Sequence, residues 1–466
     1  MTPRIAVRDI ALFERRIPFA RPFRFGAVTI EAAGQAFVRV EIAFENGETA
    51  IGASAEMIVP KWFDKRPDRT PERTADDLRR SLAIARDLYL SAVGFDTAFG
   101  LHASRYAAQL EACAREDIPP LAAGYGPAEI DKAIFDAVLC GSDRNVFDGL
   151  AANIVGLDAR LTPDLTDDAI TRFLSARRRG KHVAIRHTVG MDDKVDGEGG
   201  IADPRETSGA RYYKLKLGGD PDKDAARLIT IGRELQKLPT VDGISLDANE
   251  QYADPAALQA LCERLDRDPA LASISGKLLY IEQPMPRERT MQTPLGALAS
   301  RDFIIDEADD GYDAFPAARS LGYRGVSLKS CKGIYKALLN AARAAQATAN
   351  DERCFVTAED LTCQAGLGVQ QDLALGAFVG VTHAERNGHH YVDGFSSAPV
   401  HEARAFLAAH PDLYRSDDGA IRLAIHDGAL STASLGAPGF AAAAQPDWAS
   451  LSPLVLPTPD LTKEHT

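Results

Sequence analysis

The chain has 466 residues, 45% hydrophobic and 26% charged, with a formal net charge of −13. That length exceeds one ordinary core and suggests two domains, one large enough for an α/β barrel, while the acidity argues against a nucleic acid or an anionic membrane as partner. No run approaches the ~20 apolar residues of a membrane span, the start MTPRIAVRDIALFERR mixes acidic with basic residues unlike a signal peptide, and the six cysteines form no CxxC pair, so a cytoplasmic protein with reduced thiols is expected.

The first fifty residues alternate like a β-meander: IALFERRIPF, then AVTIEAA, then AFVRVEIAF closing on Asn46-Gly47, a hairpin signal. After the loop that holds Trp62 the composition turns to helix formers. Residues 70–110 read as helices, and Ile130, Ile134 and Val138 recur at helical spacing. Residues 1–155 are therefore expected to form an α+β domain. The stretch 156–205 is polar. Within it SARRRGKH reads as a helix end, with Arg177 to Arg179 in the last turn and Gly180 as the cap. HVAIRHTVG then reads as a strand and MDDKVDGEGG as the loop behind it.

From there the rhythm is regular. Strand-like runs at 183–189, 211–217, 243–248, 278–283, 302–307, 325–329, 353–359 and 379–383 alternate with helical stretches such as KDAARLITIGRELQKL and KALLNAARAAQATA. Strict alternation implies a parallel sheet, and eight strands close a (β/α)₈ TIM-type barrel with its chemistry at the carboxyl ends of the strands. The barrel is placed at 156–391. Residues 392–466 return to β and turn signals, as in AIRLAIHDGALSTASL, and are expected to fold back on the first domain.

Charge gathers where the apolar runs stop. YYKLKL places Lys214 and Lys216 two residues apart, on one face of a strand. ISLDAN, LLYIEQP and FIIDE end on Asp247, Glu282 and Asp306, and GVSLK ends on Lys329. Any one such carboxylate is as well explained as a helix cap or half of an ion pair. Three on consecutive strands, flanked by lysines on strands that face each other across a barrel, point to a site. Oxygen-only ligands, one per strand, suit a hard Mg²⁺ ion, with Mn²⁺ as a substitute. Removing the proton beside a carboxylate builds negative charge on two oxygens. A base supplies only about 10²–10⁴-fold, so charge stabilisation by a Lewis acid and ammonium groups must supply much of the rest.

These residues resemble the enolase superfamily, and within it the muconate lactonizing enzyme group of the mandelate racemase/muconate lactonizing enzyme family, over nearly the whole chain. The group carries KxK on barrel strand two, DxN on three, E on four, DE on five and K on six. The resemblance implies an α/β fold, a (β/α)₈ barrel with an α+β capping domain made by the N-terminal region and the C-terminal tail. It further implies Mg²⁺ on Asp247, Glu282 and Asp306, Lys214 assisting, Lys216 and Lys329 as an acid/base pair, and Asn249 behind the metal. A small-molecule carboxylate substrate and a homo-oligomer go with it. The chain departs from the pattern in several places. Strands six and seven end in SLKS and TAED, without the Asp and His of mandelate racemase. The usual KxGG is Lys332-Gly333-Ile334. Strand eight, VTHAERNGHHY, lacks the paired aspartates of a dipeptide epimerase, and the stretches 159–180 and 191–205 are long for the group.

Other residues stay open between site and scaffold: His187, pointing into the barrel mouth or packed in the core; Glu359, a substrate contact or a structural hydrogen-bond partner; and Glu307, beside Asp306. His383, His389 and His390 read as a solvated loop. Arg24 in RPFRFG and Trp62 in EMIVPKWFDK lie in segments that either close over a substrate, meeting an anion and an apolar part, or simply pack the meander. The expected reaction is α-proton abstraction to an enediolate by a racemase/epimerase or cycloisomerase. The alternatives are a lyase that eliminates water, as an acid-sugar dehydratase or a synthase does, and a catalytically silent carboxylate binder.

Overall fold

The computed structural model describes residues 2–25, 28–359, 364–386 and 388–456, the side chains of Phe25, Pro204, Arg205 and His389 lying outside the description. Alternation in the first sixty residues produces three long antiparallel strands, β1 (Ile5–Phe25), β2 (Val28–Phe44) and β3 (Thr49–Ile58). The Asn46-Gly47 turn joins β2 to β3, with Gly47 at φ 88° and Phe44 N donating to Glu48 O at 2.8 Å. Helices follow at Pro71–Leu90, Ala98–Arg115 and Tyr125–Gly141, the first two N-capped by Thr70 and Thr97. The third lies directly on the sheet. A Cβ on Gly52 would meet the Ala133 carbonyl oxygen and the Ala137 nitrogen at 2.2 Å, so only glycine lets helix and strand approach this closely.

Eight parallel strands form the barrel: β4 (His182–Val189), β5 (Tyr212–Lys216), β6 (Gly243–Asp247), β7 (Leu278–Glu282), β8 (Phe303–Ile305), β9 (Gly325–Leu328), β10 (Phe355–Ala358) and β11 (His383–Glu385). They hydrogen-bond in that order, and β11 closes on β4 with Ala384 beside Ile185. Aspartate before proline starts two of the intervening helices, Pro221–Leu235 and Pro255–Arg267, which fixes where each begins. A hairpin of β12 (Tyr414–Asp417) and β13 (Ala420–Leu423) lies in the tail. Two more tail strands pair elsewhere: β14 (Ala429–Ser431) runs antiparallel to the start of β4, and β15 (Ser452–Pro453) to Phe13 and Glu14 of β1. The tail thus meets both the barrel and the first sheet.

Three expectations are corrected here. The eighth strand is His383–Glu385 and not 379–383, because Phe378 and Val379 still belong to the helix Leu367–Val379, which ends at left-handed Gly380. That helix is buried on every side, its Gln370, Gln371 and Asp372 included, so its apolar and polar residues follow no amphipathic period. The fifth strand is shorter than expected, Phe303–Ile305. Third, the helix before β4 stops at Ala176, and Arg177 is already extended at ψ 144°. Its guanidinium lies 4.8 Å from the Phe173 ring and donates to Val379 O, while Arg179 donates to Ala433 O, so these arginines tie neighbouring segments together. Of the six cysteines, Cys363 lies outside the described residues and the other five are free thiols. Among the described residues no helix is long and apolar enough to cross a membrane.

Replacing Gly52 with alanine is expected to lower the unfolding free energy by about 1–3 kcal/mol through overpacking against the Tyr125–Gly141 helix, as read from denaturant titration. An unchanged midpoint would show that the helix can shift freely.

Candidate active site

Period-two alternation sends Lys214 and Lys216 to the inner face of β5, where they are 1% and 5% exposed. The Lys214 ammonium stands among four carboxylates: Asp247 Oδ2 at 2.9 Å, both Glu282 oxygens at 3.0 Å, Glu359 Oε2 at 2.9 Å and Glu385 Oε2 at 2.8 Å. Lys216 Nζ donates to Asp247 Oδ2 and Asn249 Oδ1, each at 2.6 Å. Across the barrel Lys329 Nζ lies 2.8 Å from Asp306 Oδ2, and Lys332 approaches Asp306 Oδ1 at 3.2 Å. Ser327 also donates to Asp306. Every one of these side chains is buried.

Burial raises a carboxyl and neighbouring ammonium groups lower it, so each member answers to its nearest cations. Burial would raise Asp247 and Asp306, yet Lys214 and Lys216 hold the first below the usual range, and Lys329 and Lys332 hold the second well below it. Glu282 goes the other way. Burial and the charges of Asp247 and Glu359 push it well up, against Lys214. Glu359 is pushed up to about 7 by burial, against Arg186 and Lys214 and with help from Glu385. Lys214 and Lys329 are raised despite burial, the former by its four carboxylates and the latter chiefly by Asp306.

The structure therefore brings Lys214, Lys216, Asp247, Asn249, Glu282, Asp306, Lys329 and Glu359 to one end of the barrel. Glu307 turns to the other side of its strand end, accepting from Lys65 at 2.7 Å and from Asn249 Nδ2 at 3.0 Å. Trp62 is 4% exposed, its ring 4.3 Å from Lys329 Nζ. His187 does not share the inner face of β4. Arg186 and Thr188 do, and His187 sits with Tyr213 on the opposite face, its ring 4.8 Å from that of His390. Arg24 is paired with Asp192 at 2.9 Å and, with His187 and His390, lines a cavity of about 470 Å³ beneath the β1–β2 hairpin. His390 is thus not part of a solvated loop. His383 is instead stacked on Tyr212 and bonded to Arg186.

Two residues were missed, and a third, Lys332, entered only as part of the KxGG motif without a role in the site. Arg186, fully buried, donates to Glu359 and to Ala358 O. Glu385 binds Lys214 and accepts from Thr188 Oγ1 at 2.5 Å. Lys332 holds Asp306. The signal for Glu385 was its place two residues after His383, at the end of the true eighth strand; for Arg186 it was the alternation of AIRHT, which puts residues 186 and 188 on one face.

Among the described residues no three acidic, histidine or cysteine side chains are grouped to hold an ion as they stand, because lysines lie between the carboxylates. The donor set nevertheless fits Mg²⁺. All ligands are oxygens on adjacent strands, an ammonium already stands as a cation between Asp247 and Glu282, and Glu282 Oε2 accepts no well-directed hydrogen bond. Lys214 would keep Glu359 and Glu385 as partners if the other two turned to a metal.

No protein-family model matches the chain, and no curated protein does. Solved structures do. A protein from Listeria innocua described as an enolase superfamily member is 16% identical and aligns over 95% of each chain with a TM-score of 0.62. The dipeptide epimerase of Enterococcus faecalis, complexed with Mg and the dipeptide L-Leu-L-Tyr, is 16% identical over 94% of this chain and 99% of its own, with a TM-score of 0.59. Muconate lactonizing enzyme from Pseudomonas fluorescens, complexed with muconolactone, is 18% identical over 94% and 97%, also at 0.59. The fold is that of the enolase superfamily. The alignments take in 94–95% of this chain, and the polar side chains at the barrel mouth are this chain's own.

Lys214→Met would leave four buried carboxylates short of a cation and should cost about 3–5 kcal/mol of stability at neutral pH in EDTA. The sign with pH follows from the depressed Asp247 and Glu385 carboxyls, whose contribution is present above their unfolded range and lost as pH falls. The gap between wild type and variant in urea titrations should thus hold down to about pH 4 and shrink below it. A gap that widens on acidification would contradict it.

Proposed function

We propose that the protein is an enolase-type enzyme that removes the α-proton of a small carboxylate substrate, giving an enediolate that is reprotonated or rearranged, as a racemase/epimerase or a cycloisomerase. The observation that carries this reading is the pair of buried lysines, Lys216 on β5 and Lys329 after β9, on opposed parts of the barrel wall with the carboxylates between them. A binding protein has no need of a lysine on each side.

Asp247, Glu282 and Asp306 would hold Mg²⁺, which when bound supplies Lewis-acid stabilisation of the enediolate oxygens. The chain's own residues do the rest. Lys216 or Lys329, once freed of its carboxylate partner, takes the α-proton at Nζ, and the other lysine gives a proton to the opposite face. Lys214 contributes a fixed positive charge beside the developing oxyanion, held by Glu359 and Glu385. Asn249 orients Lys216 through its Oδ1. Burial of the whole set excludes water, which strengthens each of these interactions.

The test is solvent deuterium exchange into a panel of carboxylic acids with Mg²⁺ present, followed by mass and NMR. Neither lysine can reach through the α-carbon, so Lys216→Ala should stop exchange of one configuration and Lys329→Ala that of the other, both variants keeping bound metal. Loss of water from a substrate would mark a lyase instead. If both variants exchange at near wild-type rates, the assignment fails.

A second expectation concerns the ion alone. Because its proposed ligands sit at loop-ward strand ends, EDTA should abolish turnover while far-UV circular dichroism stays almost unchanged, and Mg²⁺ or Mn²⁺ should restore activity. Cooperative unfolding on chelation would be the contrary result.

A further inference from the structure

The segment 59–69, between β3 and the first helix, is built to a fixed shape and tied to the barrel. Lys61, at φ 65°, donates its Nζ to the carbonyls of Arg66 and Arg69 at 2.6 and 3.0 Å, so the segment closes around its own ammonium. Phe63 backs Trp62 edge-on at 4.8 Å and is itself backed by Tyr125 at 5.3 Å. From the barrel, Arg287 donates to the carbonyls of Phe63 and Trp62 at 2.9 and 3.2 Å while its other donors grip Glu250. Lys65 completes the tie, 2.7 Å from Glu307 Oε1, 2.9 Å from Glu250 Oε2 and 3.0 Å from Asn249 O. Asn249 and Glu250 both adopt left-handed backbone, at φ 43° and 73°, which is what presents that carbonyl and carboxylate to the cap.

The outcome is asymmetric. The face of the Trp62 indole lies over the Lys329 ammonium, and among the described residues no ring lies over Lys216. A lysine is a compact charge on a flexible four-carbon stem, so its reach toward a substrate atom depends on what holds it. An indole face attracts the ammonium, more strongly where water is excluded, and fills the space into which the stem would otherwise swing.

Resting on the α-proton reading above, we infer that Trp62 is a positioning residue for Lys329, seated over its ammonium by a latch in which Lys65 and Arg287 tie the cap to Glu307 and Glu250. The cap thereby seats Lys329 with its own ring, whereas it reaches Lys216 only through the Lys65 contacts to Asn249 O and Glu307.

Exchange kinetics on both substrate configurations test it. Trp62→Leu should cut kcat for the configuration served by Lys329 by roughly tenfold or more, the scale a desolvated cation–π contact supports, and leave the Lys216 configuration within about twofold. Trp62→Phe should recover much of the loss. Lys65→Met should lower the Lys329 configuration in the same direction, with Lys65→Arg restoring activity, while the selectivity between configurations is read from Trp62→Leu, because Lys65 also touches Asn249. Equal losses at both configurations would mean cap packing alone, and that outcome, like no loss at either, overturns the proposal. An arm independent of activity uses Trp448→Phe, which leaves Trp62 as the single indole of a chain with two tryptophans. In that background Lys65→Met should raise acrylamide quenching and Lys329→Met should shift the emission. If the wild-type protein exchanges no acid at all, the functional reading fails, and the fluorescence arm decides the seating by itself. Quenching and emission unchanged in both variants would overturn it.

Discussion

Everything at the barrel mouth is arranged around one electrostatic requirement: carboxylates at the ends of five of the eight strands, nearly devoid of solvent, must each find a cation. Asp247, Glu282, Asp306, Glu359 and Glu385 are answered by Lys214, Lys216, Lys329, Lys332 and Arg186, all buried. Removing any charge from such a set leaves its partner stranded in a low-dielectric setting, where the penalty is several kcal/mol. Strand register is therefore under tight constraint. A slip of one residue in β5 would turn both lysines into the hydrophobic layer and bring Tyr213 and Leu215 among the acids.

Much of this was legible because a strand has the shortest period a sequence can show. Lys214 and Lys216 flank one residue, and the carboxylates close apolar runs, so five strand ends could be assigned from local pattern. The eighth could not. The helix before it is buried on all faces, its Gln370, Gln371 and Asp372 included, so no solvent-facing stripe marked its length, which erased the boundary and hid Glu385. Arg186 was passed over for a different reason. His187 draws attention as a chemically versatile side chain, but the pleat decides which neighbour faces inward, and β4 turns Arg186 and Thr188 toward Glu359 and Glu385. Contacts between cap and barrel, such as Lys65 with Glu307, join residues far apart in sequence and leave no periodic trace.

Two cap segments flagged for their aromatic and basic residues have different fates. Arg24 faces an open cavity with Asp192, on the outer side of β4. Trp62 is carried inward, where a ring and an ammonium meet. The difference comes from anchoring. Residues 59–69 are held by Arg287 and by their own lysine, whereas the Arg24 hairpin has a buried anchor, the Phe23 ring 4.4 Å from that of Tyr391, and meets the segment after β4 through ion pairs of exposed Arg24 with Asp192 and half-exposed Arg21 with Glu206. Exposed pairs contribute little, so the Phe23–Tyr391 contact carries most of the hold on that side of the mouth.

The outer edge of β1 is covered in part by β15, two residues from the far end of the described chain. Arg15 beside it pairs with Glu402, also from the tail, at 2.7 Å. During synthesis the first sheet thus emerges from the ribosome hundreds of residues before the strand that shields it. For that interval β1 presents unpaired backbone groups to any passing chain. Asp9, Glu14 and the run Arg15-Arg16 place charge along this strand, which discourages edge-to-edge association while the barrel is still being made.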